Sequence, residues 1–159
     1  MTIHTLPDTA AESMWFLRSV VKIPVSHNAG TDGISVIEHR LSYADSPPLH
    51  IHRNQDEVFH ILEGVIRFRV GNRDIIAKPG DTLLAPKGVP HTYRVESSTG
   101  ARCLTVTTGP DFESMVRELS SRQPLTQLQP FGEVTPELVA RLSEVCARNG
   151  IDIIGPPLA

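Results

Sequence analysis

The sequence is poor in cysteine and in aromatic residues and carries little net charge. It has 2 cysteines among 159 residues, 5% aromatic residues and a formal net charge of −3 from 15 basic and 18 acidic residues. Cys103 and Cys146 lack a metal-type spacing, so we expect packed, reduced thiols and no disulfide framework. The intermixed charges disfavour nucleic acid as a partner.

Long apolar runs are also missing. No segment approaches the roughly 20 apolar residues that a membrane span needs, and the N-terminus from Met1 to Pro7 has neither a basic region nor an apolar stretch. We therefore expect a cytoplasmic protein without a membrane partner. The length and the 40% hydrophobic content favour one compact domain.

Three histidines and one glutamate form the most specific pattern in the chain. The pattern runs His50-x-His52-x4-Glu57-x6-Gly64 and then Gly80-x5-Pro86-x-Gly88-x2-His91. Alternate side chains of a strand point to one face, so His50 and His52 can present both imidazoles to one point. Glu57 lies an odd number of positions beyond His52, so we expect the polar segment 53–56 to form a turn or bulge that re-aims it.

These four side chains predict a metal site. His91 follows a rigid segment with two prolines and one glycine, and ligands from three segments can converge only inside a curved or closed sheet. Three neutral imidazoles and one carboxylate suit one divalent ion per chain, such as Fe, Mn, Ni, Co, Cu or Zn, and leave positions open for a substrate. A single histidine is more often a packing residue, but four suitable residues at this spacing favour metal ligation.

The other histidines are interpreted as structural. His60 lies three residues after Glu57 and should face away from it on the same strand. We expect the remaining ones to be solvated or packed: His4, His27 and His39.

The two stretches resemble the two conserved motifs of the cupin superfamily, and the resemblance covers about residues 44–95. The family pattern has glycine where this chain has Ala44 and asparagine where it has Val95. Neither position is a predicted ligand. The resemblance implies a double-stranded β-helix, or jelly-roll, barrel and, together with exposed apolar ends, a homodimer.

Short strands at regular spacing agree with an all-β fold. They are predicted at 15–17, 20–23, 34–42, 57–62, 65–70, 74–77, 82–85, 91–96 and 101–107. We expect residues 1–33 to form N-terminal strands and an arm on the barrel, 34–108 the barrel core and 109–159 a C-terminal helical extension.

The apolar period changes to 3.6 after Thr108, which predicts a helix around Phe112 to Leu119. A second helix is predicted from Pro136 to about Asn149, capped by Thr135. Packing on the barrel or on a second subunit is favoured over a lid role for both helices. The apolar tail after Gly150 should dock against something.

The predicted strands also nominate residues around the metal. Side chains on the same face as a ligand are Phe59 and Ile61 after Glu57, and Tyr93 and Val95 after His91. These four are the candidate substrate-binding residues of a mainly apolar pocket, in which Tyr93 would donate a hydrogen bond or be satisfied by the backbone.

Two functions fit this pattern. In the first, the protein resembles small quercetin-dioxygenase-like cupins and oxidises a small enolic or aromatic oxygenated compound, with Glu57 as both ligand and catalytic base. In the second, it is a non-catalytic module that binds or senses a small molecule. A sugar isomerase is less favoured because no cluster of arginines accompanies the motifs.

Overall fold

The computed structural model describes residues 13–122 and 134–159, so the predictions for His4 and for the arm before residue 13 lie outside the described residues. In chain order the elements are β1 (Met14–Phe16), β2 (Ser19–Val25), β3 (Ile34–Leu41), β4 (Pro48–His52), β5 (Glu57–Glu63), β6 (Ile66–Val70), β7 (Arg73–Ala77), β8 (Thr82–Ala85), β9 (His91–Val95), β10 (Ala101–Thr108), α1 (Asp111–Leu119), β11 (Ser120–Ser121), α2 (Pro136–Arg148) and β12 (Ile151–Pro157). Neither α1 nor α2 is long and apolar enough to cross a membrane.

The described strands form two antiparallel sheets. The seven-stranded sheet has the order β11-β1-β2-β3-β10-β5-β8, and the five-stranded sheet has the order β12-β4-β9-β6-β7. Side chains alternate between the two faces of each sheet, and the apolar set of β5 and β6 points inward. Phe59 and Phe68 meet across the gap between the sheets with their ring centroids 4.9 Å apart. The predicted all-β jelly-roll fold is confirmed.

The outward face of β6 shows why the alternation holds. Arg67 lies between the buried Ile66 and Phe68, and Arg69 lies between Phe68 and Val70. Both arginines point away from the core and form ion pairs, Arg67 with Glu96 at 2.7 Å and Arg69 with Asp74 at 2.7 Å. The burial of the apolar residues therefore fixes the register of this strand.

Both predicted helices are present. Helix α1 packs one apolar face against β2 and β3, where Phe112 and Val116 join Val21 and Ile37 in one core. Helix α2 begins as predicted, because the Thr135 hydroxyl accepts a hydrogen bond from the Leu138 backbone N–H at 3.2 Å. Cys103 and Cys146 are free and buried, as expected.

The C-terminal tail docks as a strand, which the sequence did not predict. Strand β12 pairs antiparallel with β4, so that Ile151 lies opposite His52 and Ile153 opposite His50. The end of the chain therefore covers one edge of the strand that carries two predicted metal ligands.

Ala44 occupies a left-handed turn with φ of +62° just before β4. This conformation favours glycine, because a Cβ crowds the backbone there, and it explains why the family pattern has glycine at this position. The turn is held by paired backbone hydrogen bonds, from the Ala44 N–H to the Val95 carbonyl and from the Val95 N–H to the Asp45 carbonyl, both at 3.0 Å.

Candidate metal centre

The four predicted ligands come from both sheets. His50 and His52 lie on β4, and His91 lies on β9, directly opposite His50 in the five-stranded sheet. Glu57 is the first residue of β5 in the seven-stranded sheet. The site therefore lies between the sheets, where side chains from opposite walls can reach one centre.

The turn at 53–56 re-aims Glu57, as the spacing predicted. The side chains of this turn form hydrogen bonds to distant segments. The Gln55 side chain accepts a hydrogen bond from the Phe112 backbone N–H at 2.9 Å, and Asp56 accepts one from the Lys87 backbone N–H at 2.9 Å. The turn is thus fixed to α1 on one side and to the segment that leads to His91 on the other.

The four side chains converge. One ligand atom from each of His50, His52, Glu57 and His91 lies within 4.8 Å of the others. The Glu57 Oε2 atom is 3.0 Å from the His91 Nε2 atom and 3.3 Å from the His52 Nε2 atom. We refer to these four residues as the ligand cluster.

Backbone carbonyls orient two of the imidazoles. The Nδ1 atom of His50 is 2.7 Å from the Pro48 carbonyl, and the Nδ1 atom of His91 is 3.1 Å from the Val89 carbonyl. A carbonyl only accepts, so each Nδ1 carries a proton and donates it. This arrangement turns the Nε2 atoms toward the common centre. Metal-binding histidines are commonly oriented in this way, by a hydrogen bond from the ring nitrogen that does not bind the metal.

His52 provides the test of whether a metal would fit. Its side chain is buried, and neither of its ring nitrogens has a hydrogen-bond partner among residues 13–122 and 134–159. The 3.3 Å contact with Glu57 is close but lacks hydrogen-bond geometry. A buried nitrogen without a partner is costly, and a metal ion at the centre would use its lone pair. The ligand cluster is therefore a possible metal site.

The protonation states agree with this interpretation. Burial, reinforced by the neighbouring His91, lowers the pKa of His50 to about 3, and burial also lowers that of His52. Burial alone would raise the pKa of Glu57, but the three imidazoles outweigh it and lower that pKa to about 2. Burial opposes protonation of His91, but its hydrogen bond to Glu57 raises its pKa. At neutral pH the cluster thus presents an ionised carboxylate and at least two neutral imidazoles.

Three members of the ligand cluster, His50, His52 and Glu57, line a cavity of about 490 Å³ with a mostly apolar wall. This volume is typical of small-molecule sites. The wall includes aromatic and aliphatic side chains from both sheets, α1, α2 and β12, among them Phe59, Tyr93, Phe112, Met115, Leu142 and Ile153.

The structure divides the four nominated substrate residues into two pairs. Phe59 and Tyr93 line the cavity beside the ligand cluster. Ile61 and Val95 are fully buried in the core between the sheets and do not line the cavity. They point inward as expected, but they lie deeper in the barrel than the cavity extends.

Sequence reasoning missed several parts of the cavity wall. His39 and Phe112 line it, although neither was nominated. Residues of α2 also border it, so this helix packs on β12 and contributes to the cavity at the same time. One available signal was overlooked: His39 is a polar residue at an inward position of β3, two residues from Ile37 and from Leu41.

Residues 39–107 match the Cupin domain family, a stretch that includes the whole ligand cluster and most of both sheets. This stretch is a cupin domain, so the expected resemblance to the cupin superfamily is confirmed for residues 39–107.

Relatives of known activity are distant. Quercetin 2,3-dioxygenase of Bacillus subtilis (strain 168) is 24% identical over 94 residues, which cover 59% of this chain and 28% of that enzyme. The matched part of this chain thus spans less than a third of that relative's length.

Solved structures share the fold at low identity. An RmlC-like cupin from Shewanella frigidimarina has a TM-score of 0.56 at 16% identity, covering 67% of this chain and 91% of that one. The polyketide cyclase RemF from Streptomyces resistomycificus has a TM-score of 0.54 at 22% identity, covering 68% and 79%. KdgF from Halomonas sp. has a TM-score of 0.52 at 14% identity, covering 57% and 78%. These similarities concern the fold alone, since one barrel hosts several chemistries.

Proposed function

We propose that this cupin holds one divalent metal ion through its ligand cluster and acts as a dioxygenase-type oxidoreductase on a small enolic or aromatic oxygenated compound. The observation that carries the proposal is the position of the cluster at the wall of a mostly apolar cavity of about 490 Å³. The distant similarity to a quercetin 2,3-dioxygenase also supports a dioxygenase-type activity.

A bound Fe, Mn, Ni, Co, Cu or Zn ion would supply Lewis acidity and, for the redox-active ions, electron transfer. With Glu57 ionised and the imidazoles neutral, the site would carry a formal charge of about +1, which favours an anionic oxygen donor. Apolar walls exclude water and strengthen this electrostatic preference. An enolate or a phenolate fits these conditions better than a neutral or cationic compound.

Two cavity residues would orient such a compound. Phe59 presents its ring to the cavity beside His91, with their centroids 6.4 Å apart, and can stack on an aromatic substrate. Burial raises the pKa of Tyr93 well above its ordinary value, so its hydroxyl stays protonated and can donate a hydrogen bond. We propose both as substrate-binding residues, together with the deeper Ile61 and Val95 as the packing behind them.

Glu57 was also expected to act as the catalytic base. Its pKa of about 2 suits an ionised ligand, but a carboxylate with so low a pKa accepts a proton poorly at neutral pH. A base role for Glu57 therefore requires that the proton pass onward quickly from its Oε2 atom.

The low pKa of Glu57 also favours a second candidate function, a cupin that binds or senses a small molecule without turnover. The same cavity and ligand cluster would serve that function. Fold and cluster do not separate the two, because binding proteins and enzymes share them.

One experiment separates the two functions. The purified protein is analysed for metals and then screened for oxygen uptake with flavonols, catechols and β-diketones. A dioxygenase consumes oxygen and forms a product, whereas a binding protein shows saturable binding and neither effect. Uptake that persists after the metal has been removed would contradict the proposed metal dependence.

The proposed setting is a homodimer in the cytoplasm with a small-molecule partner and without nucleic acid. Several large apolar side chains, including Ile76 and Leu84, are exposed on the described surface and agree with an assembly larger than one chain. Sedimentation as a single species of 17.5 kDa would contradict the dimer.

A further inference from the structure

His39 is a buried polar residue on an otherwise apolar face. It lies in the middle of β3, and its inward neighbours on the strand are Ile37 and Leu41. Across the sheet it pairs with Val21 on β2 and with Cys103 on β10. Only 5% of the residue is exposed, although imidazole loses favourable interactions with water on burial.

No group of the described residues compensates for this loss at one of its nitrogens. The Nε2 atom of His39 is buried and has no hydrogen-bond partner in the part of the chain that the structure describes. The nearest rings are those of Phe16 at 6.4 Å and Phe112 at 6.1 Å, which offer neither a donor nor an acceptor to this nitrogen. A packing histidine would normally be hydrogen-bonded, so its burial here is not explained by structure alone.

The ring is neutral under ordinary conditions. Burial lowers the pKa of His39 to about 4 against the opposing charge of Glu57. A neutral imidazole has one N–H donor and one lone-pair acceptor. Either can therefore be offered to a ligand without the cost of placing a positive charge in an apolar wall.

His39 borders the same cavity as the ligand cluster. The Phe112 ring links the two places, since its centroid lies 6.1 Å from that of His39 and 5.7 Å from that of His52. His39 and Glu57 are also separated by one intervening strand, β10. In the register of β10, His39 lies opposite Cys103 and Glu57 lies opposite Thr107, four residues further along. The two polar positions are thus two strand spacings and four residues apart, which places their Cα atoms on the order of 15 Å from each other.

We propose that His39 is a second ligand-binding residue of this cavity, which hydrogen-bonds an oxygen at the end of the ligand remote from the ligand cluster. The ligand class is an extended aromatic compound that has an enolic oxygen at one end and a hydroxyl at the other. The enolic oxygen beside the ligand cluster rests on the proposed function. The hydroxyl at the other end of the ligand rests on the position of His39 and on its nitrogen without a partner among the described residues.

The test compares two flavonols in the protein as purified with its metal. Quercetin carries hydroxyls on both outer rings, and 3-hydroxyflavone carries none there. Dissociation constants are measured by calorimetry for the wild type, for His39→Phe, which removes the hydrogen bond and keeps a ring, and for His39→Gln, which keeps a polar group.

The wild type should bind quercetin about tenfold more tightly than 3-hydroxyflavone, which is the effect of one well-placed hydrogen bond. His39→Phe should reduce this preference to less than about twofold, and His39→Gln should retain most of it. The thermal midpoint of His39→Phe should equal or exceed that of the wild type, because the substitution removes a buried nitrogen without a partner.

Three results would overturn the role of His39: a wild type that binds neither flavonol or binds both equally, an equal loss of both affinities in His39→Phe, or a strong drop in its thermal midpoint. Oxygen uptake separates this proposal from the proposed function. A preserved preference for quercetin without uptake contradicts the dioxygenase function alone, whereas uptake without the preference contradicts the role of His39 alone.

Discussion

Glu57 and Glu113 are two buried carboxylates whose surroundings differ. Glu113 accepts hydrogen bonds from the Ser26 hydroxyl at 2.7 Å, the His27 backbone N–H at 2.7 Å and the Ser35 hydroxyl at 3.0 Å, and it forms an ion pair with Arg117 at 2.8 Å. Each of its oxygens has a partner. The residue ties α1 to β3 and to the segment after β2, which is a structural role.

Glu57 has the same low pKa of about 2 but different neighbours. It faces three imidazoles, and one of them, His52, has no hydrogen-bond partner among the described residues. A buried carboxylate can thus be surrounded either by hydrogen-bond donors of its own chain, as at Glu113, or by a cluster that could hold a cation, as at Glu57. The proposed function accordingly assigns a structural role to Glu113 and a metal-binding role to Glu57.

The largest expected effect concerns activity. Glu57→Gln should lower oxygen uptake at least about 100-fold, since a neutral amide is a weaker metal ligand and accepts no proton. Oxygen electrodes and metal analysis check this, with His60→Ala as the matched control, because His60 lies on the outward face of β5 and bonds Thr82 at 2.8 Å. Retained metal with lost uptake would assign a base role to Glu57; full activity would remove it from the site.

The corresponding change at Glu113 should affect stability instead. Glu113→Gln should lower the free energy of unfolding by about 3 kcal/mol, because the buried partners of the carboxylate lose a charged acceptor. Urea unfolding measures this difference, and metal content should be unchanged. Loss of metal in a folded Glu113→Gln protein would contradict the division between the two carboxylates.

Acid should reduce the effect of the Glu113 substitution. Burial by itself raises the pKa of this carboxyl, but hydrogen bonds from Ser26, His27 and Arg117 outweigh it and lower the pKa from 4.5 to about 2. The stability that Glu113 contributes is therefore complete above about pH 4.5 and is lost as the pH falls toward 2. Unfolding curves over this range should show the wild type and Glu113→Gln converging; a constant difference would contradict the pKa.

The smallest expected effects are on stability and concern two neighbouring hydroxyl residues, Ser35 and Thr107. Ser35 on β3 lies opposite Thr107 on β10, and Thr107 lies opposite Glu57 on β5. The Ser35 hydroxyl bonds Glu113, whereas the Thr107 hydroxyl is buried without a partner among the described residues. Ser35→Ala should cost about 1 kcal/mol of stability, and Thr107→Val should cost nothing or stabilise the protein. Urea unfolding with the opposite order of effects would contradict this assignment.

The fold could be predicted in large part because strand alternation and helix period are local signals. The inward face of β6 and the capping of α2 by Thr135 each depend on residues that lie within a few positions of each other in the sequence. Strand β12 could not be predicted in this way. It contains Gly155 and two prolines, and it is placed by a long-range pairing with β4.

The site shows the same division. The ligand cluster was predictable because its spacing reflects one common centre. His39 was interpreted as a packed or solvated residue, because a single sequence does not reveal whether a buried imidazole finds a partner. Ile61 and Val95 lie on the expected faces, but the depth of the cavity depends on how α1, α2 and β12 close the barrel.

Elemental analysis of the wild type, His52→Ala and His60→Ala tests the central claim most directly. We predict about one divalent ion per chain in the wild type and in His60→Ala, and a large loss of metal in a folded His52→Ala protein, because His52 offers a buried nitrogen to the common centre. Equal metal content in His52→Ala and the wild type, or a wild type that takes up no divalent ion, would contradict the account.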